Sequence, residues 1–237
     1  VSRDIAGTTD RLSVRDGNGF QQYSYDVSQS YGDIVSFPWY YTEGTTHTVY
    51  FGTSDGYLFR LIDTGSALNL SVGWPIQPPG CTGITSGVII DGTNLYFGGM
   101  NGAAPKIYAM VITTGEVLFA RDSVSPVYAT PSWTINGATT YLFAGTDTSA
   151  GQSYLWRLNV YNQLPDLDIS NTAQAHIRAP TIYWPWTDGI YVGDYSGKML
   201  GVKASDFTAQ SGFPFSSSAF SITTMASVEF FWWNAET

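Results

Sequence analysis

The chain has 237 residues, of which 43% are hydrophobic and only 12% charged, so it can bury a large core and is not intrinsically disordered. A formal net charge of −9 disfavours nucleic acid and anionic lipid as partners, and no apolar run approaches the roughly 20 residues of a membrane-spanning helix. One cysteine, Cys81, excludes an intrachain disulfide, and 25 Gly, 11 Pro and 16% aromatic residues favour strands and turns over helices.

A phrase of strand-forming residues that ends in glycine recurs along the whole chain. Its copies occupy residues 4–7 (the weakest), 49–52, 95–98, 141–145 and 190–193. The marker glycines are Gly7, Gly52, Gly98, Gly145 and Gly193, and successive markers are 45, 46, 47 and 48 residues apart. This spacing is too regular to arise by chance, and it indicates a structural repeat.

Each marker has the same flanks, in the same order along the chain. A strand-like run precedes it at residues 34–40, 85–90, 129–135 and 179–186, and a short hairpin turn joins the two. A polar turn such as residues 53–56 follows, then a third strand such as 57–61 and a fourth run such as 117–120. Four short strands in a unit of about 45 residues predict the blade of a β-propeller.

The two ends of the chain match complementary parts of this repeat. The chain opens in a second strand, and residues 226–233 near its end parallel the first-strand run 35–40. Pairing of the two ends would complete a fifth blade and leave no open sheet edge. We therefore predict one propeller domain over residues 1–237 with five repeats, either closed in this way or forming a segment of a larger ring.

The repeat resembles that of the PQQ-like, quinoprotein-type propellers, and its length is also similar to that of WD40-like repeats. The best copies are residues 48–74 and 84–120, in which Ile-Tyr-Ala-Met at 107–110 is followed by Thr-Gly-Glu-Val at 114–117. The resemblance implies a propeller fold that serves catalytic quinoproteins, non-catalytic scaffolds and surface proteins alike. The catalytic branch requires an adjacent cysteine pair, which Cys81 alone cannot form. We therefore expect the non-catalytic branch and no quinone cofactor.

Polar residues in the turns between second and third strands are the candidate ligand-binding groups. We expect these turns to gather at one face around the axis, where they would present Asp10, Asp55, Asn101, Asp147 and Asp194. Such a ring is suited to a cation or, with two carboxylates in one pocket, to glycoside hydrolysis. The alternative is that these residues are ordinary turn formers.

Metal binding has little support in the sequence. Residues 16–19 (Asp-Gly-Asn-Gly) have the oxygen density of a calcium loop, but the distal Glu is missing and a plain turn fits better. His47 and His176 are far apart, and neither lies in a cluster with metal-ligand spacing. We expect no resident metal or cofactor, with Ca²⁺ as a weak alternative.

Tryptophans concentrate in or near the predicted inner strands. Stacked aromatic rings beside carboxylates would suit a sugar, whereas large flat side chains in that place also fill the wedge between blades. The contact candidates are Trp39, Trp74, Trp184 and Trp186.

These observations favour a non-catalytic binding or scaffold propeller. We expect an extracytoplasmic or cell-surface location, because the chain has few Lys and many Ser, Thr, Gly and Tyr. The expected partner is a protein, a neighbouring subunit or a glycan. A lectin-like propeller and a glycan-acting hydrolase with an axial Asp ring remain the alternatives.

Overall fold

A computed structural model describes residues 2–6, 9–147, 153–160, 172–173 and 175–216. Over these residues the secondary structure consists of twenty β-strands and two short 3-10 turns, Gln29–Tyr31 and Pro185–Thr187, with no α-helix. The predicted all-β class is therefore confirmed.

The strands form five antiparallel sheets, which follow one another along the chain. Sheet 1 contains β1 (Ser2–Ala6), β2 (Thr9–Arg15) and β3 (Gln21–Val27). Sheet 2 contains β4 (Trp39–Glu43), β5 (Thr46–Gly52), β6 (Leu58–Asp63) and β7 (Leu68–Leu70). Sheet 3 contains β8 (Gly83–Ile84), β9 (Ile89–Ile90), β10 (Asn94–Asn101), β11 (Ala104–Val111) and β12 (Val117–Asp122). Sheet 4 contains β13 (Ser132–Asn136), β14 (Thr139–Gly145), β15 (Ser153–Asn159) and β16 (Thr172–Ala173). Sheet 5 contains β17 (Ile182–Trp184), β18 (Gly189–Gly193), β19 (Lys198–Lys203) and β20 (Phe215–Ser216).

Within each sheet the strands are hydrogen-bonded in chain order, as a blade requires. Sheet 1 has three strands. Its first strand, β1, corresponds in the repeat to the second strand of sheets 2, 4 and 5. The predicted pairing of residues 226–233 with this sheet lies outside the described residues, and so does the marker Gly7.

The first-strand runs are shorter as strands than their sequences predict. Only residues 39–40, 89–90, 132–135 and 182–184 of these runs are in a first strand, and in sheet 3 a separate two-residue strand, β8, precedes β9. Proline explains much of this difference, because Pro38, Pro131 and Pro180 lie in three of the runs and cannot donate a ladder hydrogen bond. The segment that leads into each first strand, which we call the lead-in, occupies residues 33–38, 82–88 (including the short strand β8), 125–131 and 176–181.

Hydrophobic cores lie between successive sheets, and the central strands β5, β10 and β14 each contribute to two of them. In β5, Val49 and Phe51 belong to the core shared with sheet 1, whereas Tyr50 belongs to the core shared with sheet 3. Tyr96 and Phe97 in β10 divide in the same way between two cores. Because neighbouring strand residues point to opposite faces, a strand buried on both faces must be apolar throughout. This accounts for the uninterrupted apolar phrase in every repeat.

The marker glycines are needed because the next sheet approaches them closely. A Cβ on Gly52 would lie 2.5 Å from Cγ2 of Ile84, which belongs to sheet 3. A Cβ on Gly98 would come similarly close to Val127, and a Cβ on Gly145 would come similarly close to Ile177. Each of these three partners is a buried aliphatic residue in the lead-in of the following sheet. The repeat therefore specifies how one sheet packs on the next as well as the sheet itself.

Candidate functional site

The inner segments of sheets 2 to 5 surround a cavity of about 560 Å³, which we call the axial cavity. Its lining comes from the lead-ins and first strands of four successive sheets. The lining residues are Phe37, Pro38, Trp39, Val88, Ile89, Thr130, Pro131, Ser132, Trp133, Pro180, Thr181, Ile182 and Tyr183.

The repeat places these residues at equivalent positions. The second or third residue of each lead-in is a buried aliphatic residue, Ile34, Ile84, Val127 or Ile177. The residues three to five positions later line the cavity in every sheet, apart from Gly87, which has no side chain. Equivalent residues of four repeats therefore face the same space. In a propeller such a space lies on the axis about which the sheets are arranged.

The axial cavity is apolar and aromatic. None of its lining residues in the described part of the chain is charged, and the polar ones are hydroxyl side chains. Trp133 is held in place by its Nε1, which donates to the carbonyl oxygen of Ile90 over 2.9 Å. Phe37 has 74% of its surface exposed, although it is large and apolar. A pocket of this kind can bury an apolar group, and no Asp, Glu, His, Lys or Arg is among the described residues that line it.

A compact charged group includes residues at the beginning of the sheet 5 lead-in, a few positions before those that line the cavity. Asp147, at the turn after β14, receives a hydrogen bond from Nε of Arg178 over 2.5 Å and contacts Nδ1 of His176. Only 4% of the Asp147 side chain is exposed, against 39% for His176 and 47% for Arg178. The carboxylate raises the pKa of the Arg178 guanidinium above its usual value, chiefly through this hydrogen bond.

Two tyrosines hold the same guanidinium from its sides. The Cζ atom of Arg178 lies 5.1 Å from the ring centroid of Tyr128 and 5.5 Å from that of Tyr195. These distances are in the range of cation–π contacts. The ring of His176 also packs edge-on against Tyr195, at 5.6 Å. We call these five residues, Tyr128, Asp147, His176, Arg178 and Tyr195, the Arg178 cluster.

The other polar candidates have structural partners or lie on exposed turns, and none of them lines the axial cavity. Asp10 is buried in β2, where its carboxylate accepts a 2.6 Å hydrogen bond from the Ile34 amide and so joins sheets 1 and 2. Asp194 is buried and caps its own turn by accepting from the amides of Ser196 and Lys198, each at 2.9 Å. Asp55 and Asn101 are exposed.

The aromatic candidates separate into packing and surface residues. Trp74 is buried in the core between sheets 2 and 3, edge-on to Tyr50. Trp39 lines the axial cavity and also packs against two cores. Trp184 and Trp186 stack at a centroid distance of 5.2 Å near the turn after β17, and Trp186 is 76% exposed. Only this last pair presents the open aromatic face that a sugar would require.

The turn at residues 16–19 uses its carboxylate internally. Oδ1 of Asp16 accepts from the amides of Asn18 and Phe20, and Oδ2 accepts from the side chain of Gln22. His47 bonds to Thr42 through Nδ1. Over the described ranges, no three His, Cys, Asp or Glu side chains are grouped as a metal site would need.

Sequence reasoning missed most of the cavity-lining residues. The signal was present, because proline recurs at corresponding places in three lead-ins, at Pro38, Pro131 and Pro180. It also missed Arg178 as the partner of Asp147, since the two residues are 31 positions apart and belong to different sheets.

Solved structures, rather than related sequences, show which fold this chain has. Neither a protein-family model nor a curated protein matches the sequence. BamB from Moraxella catarrhalis, a PQQ-like propeller, is 14% identical with a TM-score of 0.56 over 94% of this chain. Sqt1 from Saccharomyces cerevisiae, a WD40 propeller, is 16% identical with a TM-score of 0.60 over 92% of this chain. The alignments span 65% of BamB and 59% of Sqt1.

At these identities the similarity concerns the fold alone. In the described part of the chain no helix is both long enough and apolar enough to cross a membrane. The five successive antiparallel sheets and the two solved propellers agree, and the chain has a β-propeller fold.

Proposed function

We propose that this protein is a non-catalytic binding propeller, whose axial cavity receives an apolar side chain from a protein partner. One observation carries the proposal: a cavity of about 560 Å³ on the axis is lined by aromatic, aliphatic and proline residues with a few hydroxyl side chains, and none of the described residues that line it is charged. Burying one Leu or Phe side chain contributes about 1.5–3 kcal/mol. Micromolar affinity needs about 8 kcal/mol, so the cavity would serve as an anchor within a larger contact.

Exposed apolar residues on the propeller support a partner larger than a small molecule. Beside Phe37, the residues Tyr40, Tyr128, Ile135 and Trp186 are between 44% and 76% exposed, and all belong to the inner segments of sheets 2, 4 and 5 or the turns that follow them. Large exposed apolar side chains along the inner segments add contact area that a protein partner could cover. A protein segment that enters the cavity would cover part of it.

The geometry supports the two alternatives less well. A hydrolase requires two carboxylates in one pocket, and none lines the axial cavity over the described residues. A lectin-like propeller would repeat a sugar pocket between successive sheets, whereas Trp74 and Trp39 are used in packing. For the lectin-like alternative, the glycan would bind at the exposed pair Trp184 and Trp186.

We further propose an extracytoplasmic location, on composition alone: 12% charged residues and a net charge of −9 with many hydroxyl side chains. Fractionation of the native cells tests it, with recovery of the protein in the cytosol as the opposing result.

Selection from a library of random peptides displayed on phage tests the binding function. We expect enrichment of peptides with a large apolar residue, and we expect Phe37→Asp to abolish their binding. Phe20→Asp is the matched control, because Phe20 is 70% exposed, against 74% for Phe37, and lies outside the cavity lining. Equal binding to both variants, or no enrichment, would exclude the axial cavity as the binding site.

A further inference from the structure

We propose that the Arg178 cluster binds the C-terminal carboxylate of a partner polypeptide, whose last side chain is large and apolar and occupies the axial cavity. The inference rests on the proposed function and identifies the kind of segment that the cavity receives. It starts from the one cation that is both fixed in place and exposed near the cavity, in the part of the chain that the structure describes.

The guanidinium of Arg178 is positioned before any ligand arrives. Asp147 holds its Nε, and Tyr128 and Tyr195 lie against the Cζ atom from two sides. With Nε engaged and 47% of the side chain exposed, the planar group retains N–H donors for a further acceptor. A fixed guanidinium loses little conformational entropy on binding, and its geometry matches a carboxylate.

Two residues of the cluster are close in the chain to residues that line the cavity. Arg178 precedes the cavity-lining residue Pro180 by two positions, and Tyr128 precedes Thr130 by two. Two extended residues span at most about 7 Å, so the Cα atoms of Arg178 and Pro180 are no farther apart than this. We infer that an anion on Arg178 lies within reach of a group in the apolar space. The C-terminal residue of a polypeptide has this arrangement, because its carboxylate and its side chain branch from the same Cα.

The net charge of the protein indicates which kind of carboxylate Arg178 would bind. At a net charge of −9, an acidic segment with several carboxylates would be repelled. A chain terminus presents a single carboxylate on an otherwise apolar end, which limits that repulsion. We therefore infer a free C terminus rather than an Asp or Glu side chain.

Three synthetic peptides test the inference by fluorescence anisotropy. The first is a short acetylated Gly/Ser peptide that ends in Leu-Phe with a free carboxylate. The second is the same peptide with an amidated end, and the third is amidated and carries Asp in place of Leu. A hydrogen bond to a charged group is worth about 1.5–3 kcal/mol, so the free acid should bind about 10- to 100-fold more tightly than the first amide.

Variants assign that difference to Arg178. Arg178→Gln should bring the affinity ratio of acid to amide to about one without weakening the amide, while Arg178→Lys should keep part of the ratio. Phe37→Asp should weaken all three peptides. Equal binding of acid and amide to the unaltered protein overturns the inference and leaves the proposed function standing. Equal binding of the third peptide and the acid overturns the choice of a C terminus, whereas no binding of any peptide counts against the proposed function itself.

Discussion

The close approach of one sheet to the next makes Gly145 a decisive position. A Cβ added there would lie on top of Cγ2 of Ile177, closer than real Cβ atoms come, and 3.1 Å from the Ile177 Cβ. Ile177 is completely buried, so it has little room to move. Overpacking of this kind costs about 1–3 kcal/mol, and the gain from replacing glycine within a strand offsets about 0.5–1 kcal/mol of it. We expect Gly145→Ala to destabilise the protein by about 1–2 kcal/mol.

A double-mutant cycle identifies the contact as the cause. Ile177→Ala alone should cost about 2–5 kcal/mol, because it leaves a cavity in the core. In that background the nearest remaining atom is the Cβ at 3.1 Å, so Gly145→Ala should become nearly neutral. The coupling energy should therefore be at least about 1 kcal/mol in the compensating direction.

Urea unfolding followed by tryptophan fluorescence measures these free energies. Gly17→Ala is the control, because the structure leaves open space around that glycine and gives it no positive φ. We expect the control to change the unfolding free energy by less than about 0.5 kcal/mol. Equal effects of Gly145→Ala and Gly17→Ala, or no rescue by Ile177→Ala, would refute the packing argument for the marker glycines.

Three further predictions concern individual side chains. Asp147→Asn should lower the unfolding free energy, measured in urea, by about 1.5–3 kcal/mol. Asp26→Asn, which breaks the exposed ion pair with Arg11, should lower it by less than about 1 kcal/mol. Equal losses in the two variants would contradict the buried role of Asp147. A hydrogen bond to Asp63 raises the pKa of Tyr23 from 10.0 to about 12, so its stabilising contribution is complete below pH 10 and is lost as the pH rises towards 12. Tyr23→Phe should flatten the decline of stability across that interval, and unchanged slopes would argue against the bond. Burial raises the pKa of the Cys81 thiol, so a thiol reagent at pH 8 should react with it only after unfolding, and rapid labelling of the folded protein would show that the site is open.

The sequence predicted the sheets well because their cause is local. A strand buried on both faces must be apolar at nearly every position, and a close neighbour requires glycine, so the repeats of sheets 2, 3 and 4 show both features. Gly52 and Gly145 end their strands as predicted, whereas β10 continues for three residues beyond Gly98, and the number of sheets follows the prediction. The lead-ins were harder to predict, because an apolar run with proline at its centre has strand composition without ladder hydrogen bonds.

The candidate site depends on contacts between sheets, which single-sequence patterns do not show. Asp147 was selected as a turn residue, but its role follows from His176 and Arg178 in the next sheet. Asp10 was selected for the same reason and instead caps a lead-in. Trp39 was selected as an aromatic contact candidate, and only the arrangement of four lead-ins shows that it lines a cavity.

The central claim is that lead-ins from separate sheets meet at one apolar space that binds a partner side chain. Intermolecular NOEs, measured with a methyl-labelled protein and the Leu-Phe peptide acid, test it most directly. The account predicts contacts from the peptide phenylalanine ring to the methyl groups of Val88, Ile89 and Ile182, which belong to two sheets. Contacts confined to the fully exposed Val72, which lies outside the cavity lining, would contradict it.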